Sequence, residues 1–284
     1  MEVEHLSLIT TPVILLNGEQ EVSQGTGFYF AKKVQEEPEI HVLFLITNHH
    51  VLTGYPPQED KPPKGDSIAF CMHKQKDNPA NIKQIRFPLF TKDHKPIWLN
   101  SVTSPEADIA VMPLPTPLYG DAYISGISEA WTGGNVKIRP TSTVTLIGYP
   151  YGYYDKKNCL PIWKTGSIAS EPDIDFEGKP LFLVDVSAFP GMSGSPAFAI
   201  AHGAYEMADG PTTVGHVQKF LGIFASMPLI RENKYLEEIT SESRPGLILE
   251  QSLDLGHIWK AKLITETVNN IDISRYESEI LRNL

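Results

Sequence analysis

The chain has 284 residues, of which 41% are hydrophobic and 20% charged, and its formal net charge is −10. This length and composition are those of a globular protein with a sizeable buried core. The acidic balance argues against nucleic-acid binding, which favours a basic surface. No apolar run reaches the roughly 18 residues that a membrane-spanning helix needs.

The amino terminus begins M-E-V-E-H-L and lacks the basic stretch and cleavage site of a secretory signal peptide. Two cysteines, Cys71 and Cys159, are too few for a disulfide scaffold. We therefore expect a cytoplasmic protein with both thiols reduced, and a single disulfide between them is the alternative. No nucleic-acid or membrane partner is expected.

Short apolar runs, rich in β-branched and aromatic residues and about 4–8 residues long, predict strands through most of the chain. These runs are Val13–Leu16, Gly27–Phe30, His41–Thr47, Ser67–Met72, Ile109–Met112, Val144–Ile147, Leu181–Val186, Ala197–Ile200 and Phe220–Ala225. Many short strands without alternating helices predict an all-β barrel or sandwich. The proline-rich segment Met112–Leu118 is the best candidate for a linker between two sets of strands.

A helical pattern is found only near the carboxyl terminus. In Leu255–Val268, apolar residues at 255, 258, 259, 263 and 264 fall near one face of a helix. The predicted organisation is a β lobe over residues 1–118, a second β lobe over 119–250, and a C-terminal α-helix and tail over 251–284.

One turn between two apolar runs contains two serines. From Asp185 to Phe198 the sequence reads D-V-S-A-F-P-G-M-S-G-S-P-A-F. A serine hydroxyl is a weak nucleophile unless a base takes its proton, and the reaction also needs N–H groups for the oxyanion. Glycines beside the serine permit the backbone angles that bring such N–H groups together. An isolated G-x-S-G is nevertheless more often only a turn.

Two further segments offer a base and a carboxylate. L-I-T-N-H-H-V-L-T ends an apolar strand with His49 and His50, of which at most one would face a given cleft. S-P-E-A-D-I-A-V-M places Asp108 at the start of an apolar run, where a partly buried carboxylate requires a partner. Taken singly, these residues are more commonly explained as a surface histidine pair and a turn aspartate.

The three segments together occur in the order His, Asp, Ser on an all-β chain, which is the chymotrypsin order. The chain resembles the trypsin-like serine peptidases, and within them the HtrA/Deg-type protease domain, here without a PDZ module. The segments S-Q-G-T-G-F-Y-F, V-T-L-I-G-Y-P-Y-G and T-G-S-I-A-S are also similar to that family. The resemblance implies the chymotrypsin fold, with two six-stranded-type β-barrels and the C-terminal helix.

The resemblance also implies a catalytic triad. His50 corresponds to the base because the family's histidine directly precedes a hydrophobic residue, Asp108 would orient it, and Ser193 would be the nucleophile. The backbone N–H groups of Gly191 and Ser193 would form the oxyanion hole. Ser195 takes the place of a second family glycine.

The residue before the nucleophile is Met192, where zymogen-activated trypsins carry an aspartate that pairs with a newly formed amino terminus. Trypsin-type activation by cleavage is therefore not expected, and control would rest with a regulatory protein partner or a conformational trigger.

For the substrate, the resemblance implies Ser187 at the floor of the primary specificity pocket. It also implies that Phe224, Ala225 and Ser226 form an edge strand for the peptide backbone. A neutral serine floor predicts cleavage after small or medium apolar residues.

The predicted function is a serine endopeptidase that acts on a protein or peptide without a metal or cofactor. His202 and Glu206 have the i, i+4 spacing of metal ligands, but they stand in a predicted loop without a second pair. Two alternatives remain open. One is a catalytically silent scaffold of the same fold, and the other is a processing protease dedicated to a single target.

Overall fold

The computed structural model describes residues 3–33, 41–123, 125–225, 229–235, 246–252 and 254–272. Its first lobe is a seven-stranded antiparallel sheet in the order β5-β4-β1-β2-β3-β7-β6. The strands are β1 (Thr10–Asn17), β2 (Gln20–Lys33), β3 (His41–Thr47), β4 (Ser67–His73), β5 (Ile82–Pro88), β6 (Leu99–Asn100) and β7 (Ala110–Pro113). A short helix, α1 (His5–Leu8), precedes β1, and α2 (His49–Thr53) follows β3.

The second lobe is a closed six-stranded barrel in the order β10-β15-β12-β11-β8-β9. Its strands are β8 (Thr143–Gly148), β9 (Ile162–Ile168), β10 (Leu181–Asp185), β11 (Pro196–Glu206), β12 (Thr212–Phe224) and β15 (Leu255–Lys260). Between β12 and β15 the chain forms a separate hairpin of β13 (Leu229–Tyr235) and β14 (Gly246–Ser252). Helix α3 (Ala261–Asn269) follows the barrel. The predicted all-β fold with two β lobes and a C-terminal helix is confirmed, and each run predicted as a strand coincides with one.

The helix predicted over Leu255–Val268 is wrong in its first six residues. These form β15, which pairs with β10 on one side and β12 on the other and so closes the barrel. Ile258 is fully buried in this strand and Trp259 is 7% exposed. The hydrogen bonds of two neighbouring strands outweigh a helical spacing of apolar residues, because a strand between two partners satisfies its backbone on both edges.

Helix α3 follows the barrel in sequence but packs against the first lobe. Its buried residues Leu263, Ile264 and Val268 belong to the same apolar cluster as the core of the first sheet. At its carboxyl end, the Lys32 ammonium group donates to the carbonyl of Val268 at 3.0 Å. A cation at this end of a helix offsets the partial negative charge of the last carbonyls. The helix therefore connects the last strand of the barrel to the core of the first lobe.

The two cysteines are joined by a disulfide, so the expectation of two reduced thiols is wrong. Cys71 lies in β4 of the first sheet and Cys159 in the loop that leads to β9 of the barrel. Their sequence separation of 88 gave no indication that the two side chains lie close together. The bond is a covalent connection between the lobes.

Among the described residues, no helix has the length and apolar character needed to cross a membrane.

Candidate active site

His50 is presented by the single-turn helix α2, rather than by the strand end that the sequence suggested. Asn48 stands at the N-cap of this helix. Gly54 ends it in the left-handed conformation, with φ +80°, and its N–H donates to the carbonyl of His50 at 2.8 Å. Glycine is favoured at this position because the left-handed region is costly for other residues. Asn48 makes no side-chain capping bond, so Gly54 is the residue that ends the helix after one turn. The side chain of His50 is left one-third exposed.

Asp108 holds His50 through both of its carboxylate oxygens. Its Oδ1 accepts the backbone N–H of His50 at 3.0 Å, and its Oδ2 lies 2.5 Å from the ring Nδ1. A carboxylate can only accept at these positions, so Nδ1 carries the proton and Nε2 is left as the acceptor nitrogen. Asn48 in turn donates to the carbonyl of Asp108 at 2.6 Å. This network fixes both the orientation and the tautomer of the imidazole.

The neighbouring His49 is directed elsewhere. Its Nδ1 lies 3.2 Å from the carbonyl of Tyr55, and its ring packs edge-on against Trp98. Burial lowers the pKa of His49, which keeps this imidazole neutral. Of the two adjacent histidines, His50 is the one beside the carboxylate.

The turn Phe189–Met192 precedes Ser193. The N–H of Met192 donates to the carbonyl of Phe189 at 3.0 Å, and Gly191 has a φ of +94°. A proline at the second position and a glycine with positive φ at the third define a type II turn. The carbonyl of Pro190 accepts the N–H of Tyr151 at 2.6 Å. Since N–H and C=O of a trans peptide point in opposite directions, the N–H of Gly191 points away from Tyr151.

Two amides of this turn are available to a ligand. Within the described part of the chain, the N–H groups of Gly191 and Ser193 have no hydrogen-bond partner, whereas those of Met192, Gly194 and Ser195 all donate to backbone carbonyls. The Ser193 hydroxyl donates to the carbonyl of Ala225 at 3.0 Å, and no bond to His50 is present among the described residues. Two unpaired N–H groups beside a hydroxyl are the arrangement that a developing oxyanion requires.

Thr26, on β2, links the first lobe to this turn and was missed in the sequence. Its N–H donates to the carbonyl of Ser193 and its hydroxyl to the carbonyl of Gly191, both at 2.7 Å. The same hydroxyl accepts the N–H of Tyr149 at 3.0 Å. Thr26 lies within S-Q-G-T-G-F-Y-F, but its role depends on contacts that span more than 120 residues. No local pattern could have indicated it.

Replacing Thr26 by valine is expected to destabilise the protein by about 1–3 kcal/mol, because the buried carbonyl of Gly191 and N–H of Tyr149 lose their partner. Urea unfolding of Thr26→Val measures this effect. The matched control is Thr143→Val, at an exposed position of β8, where no loss is expected. Equal stability of the two variants would contradict the linking role of Thr26.

A cleft of about 550 Å³ brings the predicted residues together. Asp108, His50, Ser193 and Ala225 all line it. The opposite wall was missed in the sequence and consists of Phe176, Glu177, Lys179, Leu181, His257 and Trp259. These residues come from separate segments that meet only when β15 closes the barrel beside β10. Burial, and then the charge of Lys179, lower the pKa of His257.

The four predicted substrate contacts have different outcomes. Ser187 is exposed and does not line the cleft, so the structure gives no enclosed pocket floor at this residue and the preference deduced from it loses its basis. Phe224 cannot offer a free edge, because its N–H donates to Ser195 and its carbonyl accepts from Gly194, both at 2.9 Å. Ser226 lies outside the described residues. Of the predicted edge, the carbonyl of Ala225 is the group that faces the nucleophile.

No cluster of three or more potential metal ligands exists among the described residues.

The chain is similar to known proteins among the solved structures and the protein families. No curated protein shows significant sequence similarity to the chain. A serine endoprotease from Yersinia pestis superposes with a TM-score of 0.44 at 15% identity, over 93% of this chain and 62% of its own. A thermostable serine protease from an extremophilic microorganism gives a TM-score of 0.46 at 10% identity, covering 93% and 99%. An inactivated protease paralogue from the scabies mite gives 0.37 at 15% identity, covering 78% and 93%. The chain thus spans less than two thirds of the Yersinia protein.

Residues 25–204 match the family described as the trypsin-like peptidase domain. This match includes His50, Asp108 and the turn with Ser193, and it extends over well more than half of the sequence. The chain therefore belongs to the trypsin-like peptidase family.

Proposed function

We propose that the protein is a serine endopeptidase whose catalytic triad is His50, Asp108 and Ser193. The observation that carries the proposal is the imidazole of His50, whose Nδ1 is tied to Asp108 in the cleft that also holds Ser193 and its two unpaired amides. The Asp108 contact leaves Nε2 free to act as a base. Such a constellation is recognised by its geometry and the role of each group.

In this mechanism Nε2 of His50 takes the proton of Ser193 as Oγ attacks the peptide carbonyl carbon. The carbonyl oxygen becomes an oxyanion that accepts from the N–H groups of Gly191 and Ser193. His50 then gives the proton to the leaving amine, and an acyl-enzyme on Ser193 remains. Water, deprotonated by the same imidazole, attacks the ester, and Ser193 recovers its proton as the acid departs.

The hydrogen bond from Ser193 to Ala225 describes a resting state. The carbonyl of Ala225 is the acceptor that a substrate N–H would use in β-augmentation. We propose that the N–H of a bound peptide takes this carbonyl and releases the Ser193 hydroxyl to His50. Substrate binding would then complete the catalytic contact, which is a conformational form of control.

Met192 supports a mode of control other than cleavage of the amino terminus. Its side chain is fully buried in the apolar core of the barrel, where it has no charge to pair with an α-amino group. The type II turn is already formed beside it. The oxyanion hole thus forms without the ion pair that trypsins use, and a regulatory partner remains part of the proposal. The cytoplasmic location stays a prediction, which the disulfide does not favour.

A fluorophosphonate probe tests the proposal directly. We expect covalent labelling of the wild-type protein, with the added mass on the peptide that contains Ser193. Asp108→Asn should lower the rate of labelling by about 10⁴-fold, because an amide donor opposite Nδ1 favours the wrong imidazole tautomer.

The same experiment separates the peptidase from the silent scaffold. If the wild-type protein is not labelled, either by itself or with casein added to bind the cleft, the peptidase proposal is contradicted. That result would favour a silent scaffold of this fold. Labelling at another residue would contradict the assigned nucleophile.

A further inference from the structure

A pair of histidines lies on the long hairpin of the second lobe. Strands β11 and β12 pair through their full length, and His202 stands directly opposite His216. Both side chains are exposed, and neither lines the active-site cleft. The segment His202–Glu206, predicted as a loop, is therefore a strand, and the partner of His202 is found across the sheet.

The two imidazole rings stack on each other across the strands, with 29° between their planes. Their Nδ1 atoms are 2.9 Å apart, and their ring centroids are 4.4 Å apart. A metal ion that binds two imidazole nitrogens at 2.0–2.1 Å with a right angle between them holds those nitrogens about 2.9 Å apart. A tetrahedral ion with the same bond length would hold the two nitrogens about 3.4 Å apart. The observed separation fits two adjacent positions of a square-planar or octahedral ion.

We propose that His202 and His216 form a binding site for a divalent transition-metal ion of the Cu²⁺ or Ni²⁺ class. Such ions prefer imidazole nitrogen in square-planar or tetragonal geometry. The two histidines supply two adjacent ligands, and water fills the other positions. The site is separate from the peptidase proposal and does not depend on it.

Among the described residues of the hairpin, the neighbours on the same face place no positively charged side chain beside the histidine pair. On the same face, the next cross-strand pair toward the tip is Ala204 with Val214, which is small and uncharged. Lys219 alternates to the other face of β12, so its ammonium group is not beside the pair. The acidic net charge of −10 favours cation binding over the whole surface.

The pairing of the strands fixes the site before any ion binds. Eleven residue pairs hold β11 against β12, with His202 and His216 in the interior of this ladder. A chelating pair on a rigid backbone loses little freedom on binding, so both nitrogens contribute to affinity. Since no third ligand is near among the described residues, removal of either histidine should remove most of the binding.

Titration calorimetry with NiCl₂ on the full-length protein tests the site. We expect one Ni²⁺ per chain and tighter binding of Ni²⁺ than of Zn²⁺. Removing a group that only hydrogen-bonds a metal ligand lowers metal affinity roughly 10–100-fold. Removing a ligand itself should cost at least as much, so we expect His202→Gln and His216→Gln each to weaken Ni²⁺ binding by at least about tenfold. His94→Asn is the matched control, since His94 is a single exposed histidine with positive φ.

Several results would overturn the proposal. Equal Ni²⁺ affinity in the wild type and both glutamine variants would mean that the histidines form only a hydrogen bond with each other. A loss in His94→Asn as large as in the hairpin variants would indicate adventitious binding. Tighter binding of Zn²⁺ than of Ni²⁺ would contradict the right-angle assignment. Circular dichroism of the variants verifies that the hairpin substitutions leave the fold intact.

Discussion

Ser193→Ala is expected to lower the turnover of fluorescein-labelled casein by about 10⁶-fold, because a triad without its nucleophile retains only the catalysis due to binding and the oxyanion hole. The backbone of the turn should be unaffected, since the N–H of Ser193 remains and the carbonyl still accepts from Thr26. Thermal stability should therefore stay close to that of the wild type. Casein hydrolysis and a melting curve measured on the same preparation give both quantities.

The matched control is Ser195→Ala, two residues away. Ser195 is fully buried, and among the described residues its hydroxyl has one hydrogen-bond partner, the Met192 sulfur at 4.0 Å. Its backbone contacts to Met192 and Phe224 do not require the hydroxyl. This variant should retain most of the activity. A loss in Ser195→Ala as large as that in Ser193→Ala would contradict the choice between the two serines.

Gly191→Ala is expected to lower kcat by about 10²–10³-fold, the usual effect of losing one donor of an oxyanion hole. A non-glycine residue at φ +94° is strained, and a Cβ atom at this position would lie 2.5 Å from the carbonyl oxygen of Tyr149. The turn must rearrange, and the N–H of residue 191 then leaves the site. Since this N–H acts on the oxyanion, kcat should fall much more than KM rises.

A control substitution at Gly203 separates the loss of the oxyanion-hole N–H from the effect of backbone strain. Gly203 has a similar φ of +89°, and a Cβ there would meet nothing within 4 Å. Gly203→Ala should therefore carry comparable strain without loss of kcat on the casein substrate. An unchanged kcat in Gly191→Ala, or an equal loss in both variants, would contradict the oxyanion hole proposed at Gly191.

The catalytic groups of the candidate site could be predicted because they lie in short sequence motifs. The Pro190-Gly191 pair indicates a type II turn, and Asn48 and Gly54 are suited to begin and end a one-turn helix. The order of the His, Asp and Ser segments then favours one family over others. The turn and the caps depend on residues within a few positions of one another, and the order of the three segments is read directly along the chain, so no knowledge of spatial contacts is needed.

Other features depend on which distant segments become neighbours. Leu255–Lys260 is a strand because β10 and β12 lie on either side of it, although its apolar spacing is that of a helix. The disulfide joins Cys71 to Cys159 across the lobes, and His202 meets His216 across a hairpin. In each case the decisive partner is far away in the sequence, and closure of the barrel or pairing of the sheets brings it near.

Motifs therefore suffice for the fold family and for the candidate catalytic groups His50, Asp108 and Ser193. The shape of the cleft is different, because its wall of Phe176, Lys179 and Trp259 belongs to segments that share no motif. Local backbone preferences determine turns and helix caps. Burial and strand pairing act between distant segments, and they determine which residues line the cleft, which are exposed and which face each other across two strands. That is the physical reason why the exposure of Ser187 did not follow from the sequence, whereas the glycines beside Ser193 already indicated a turn.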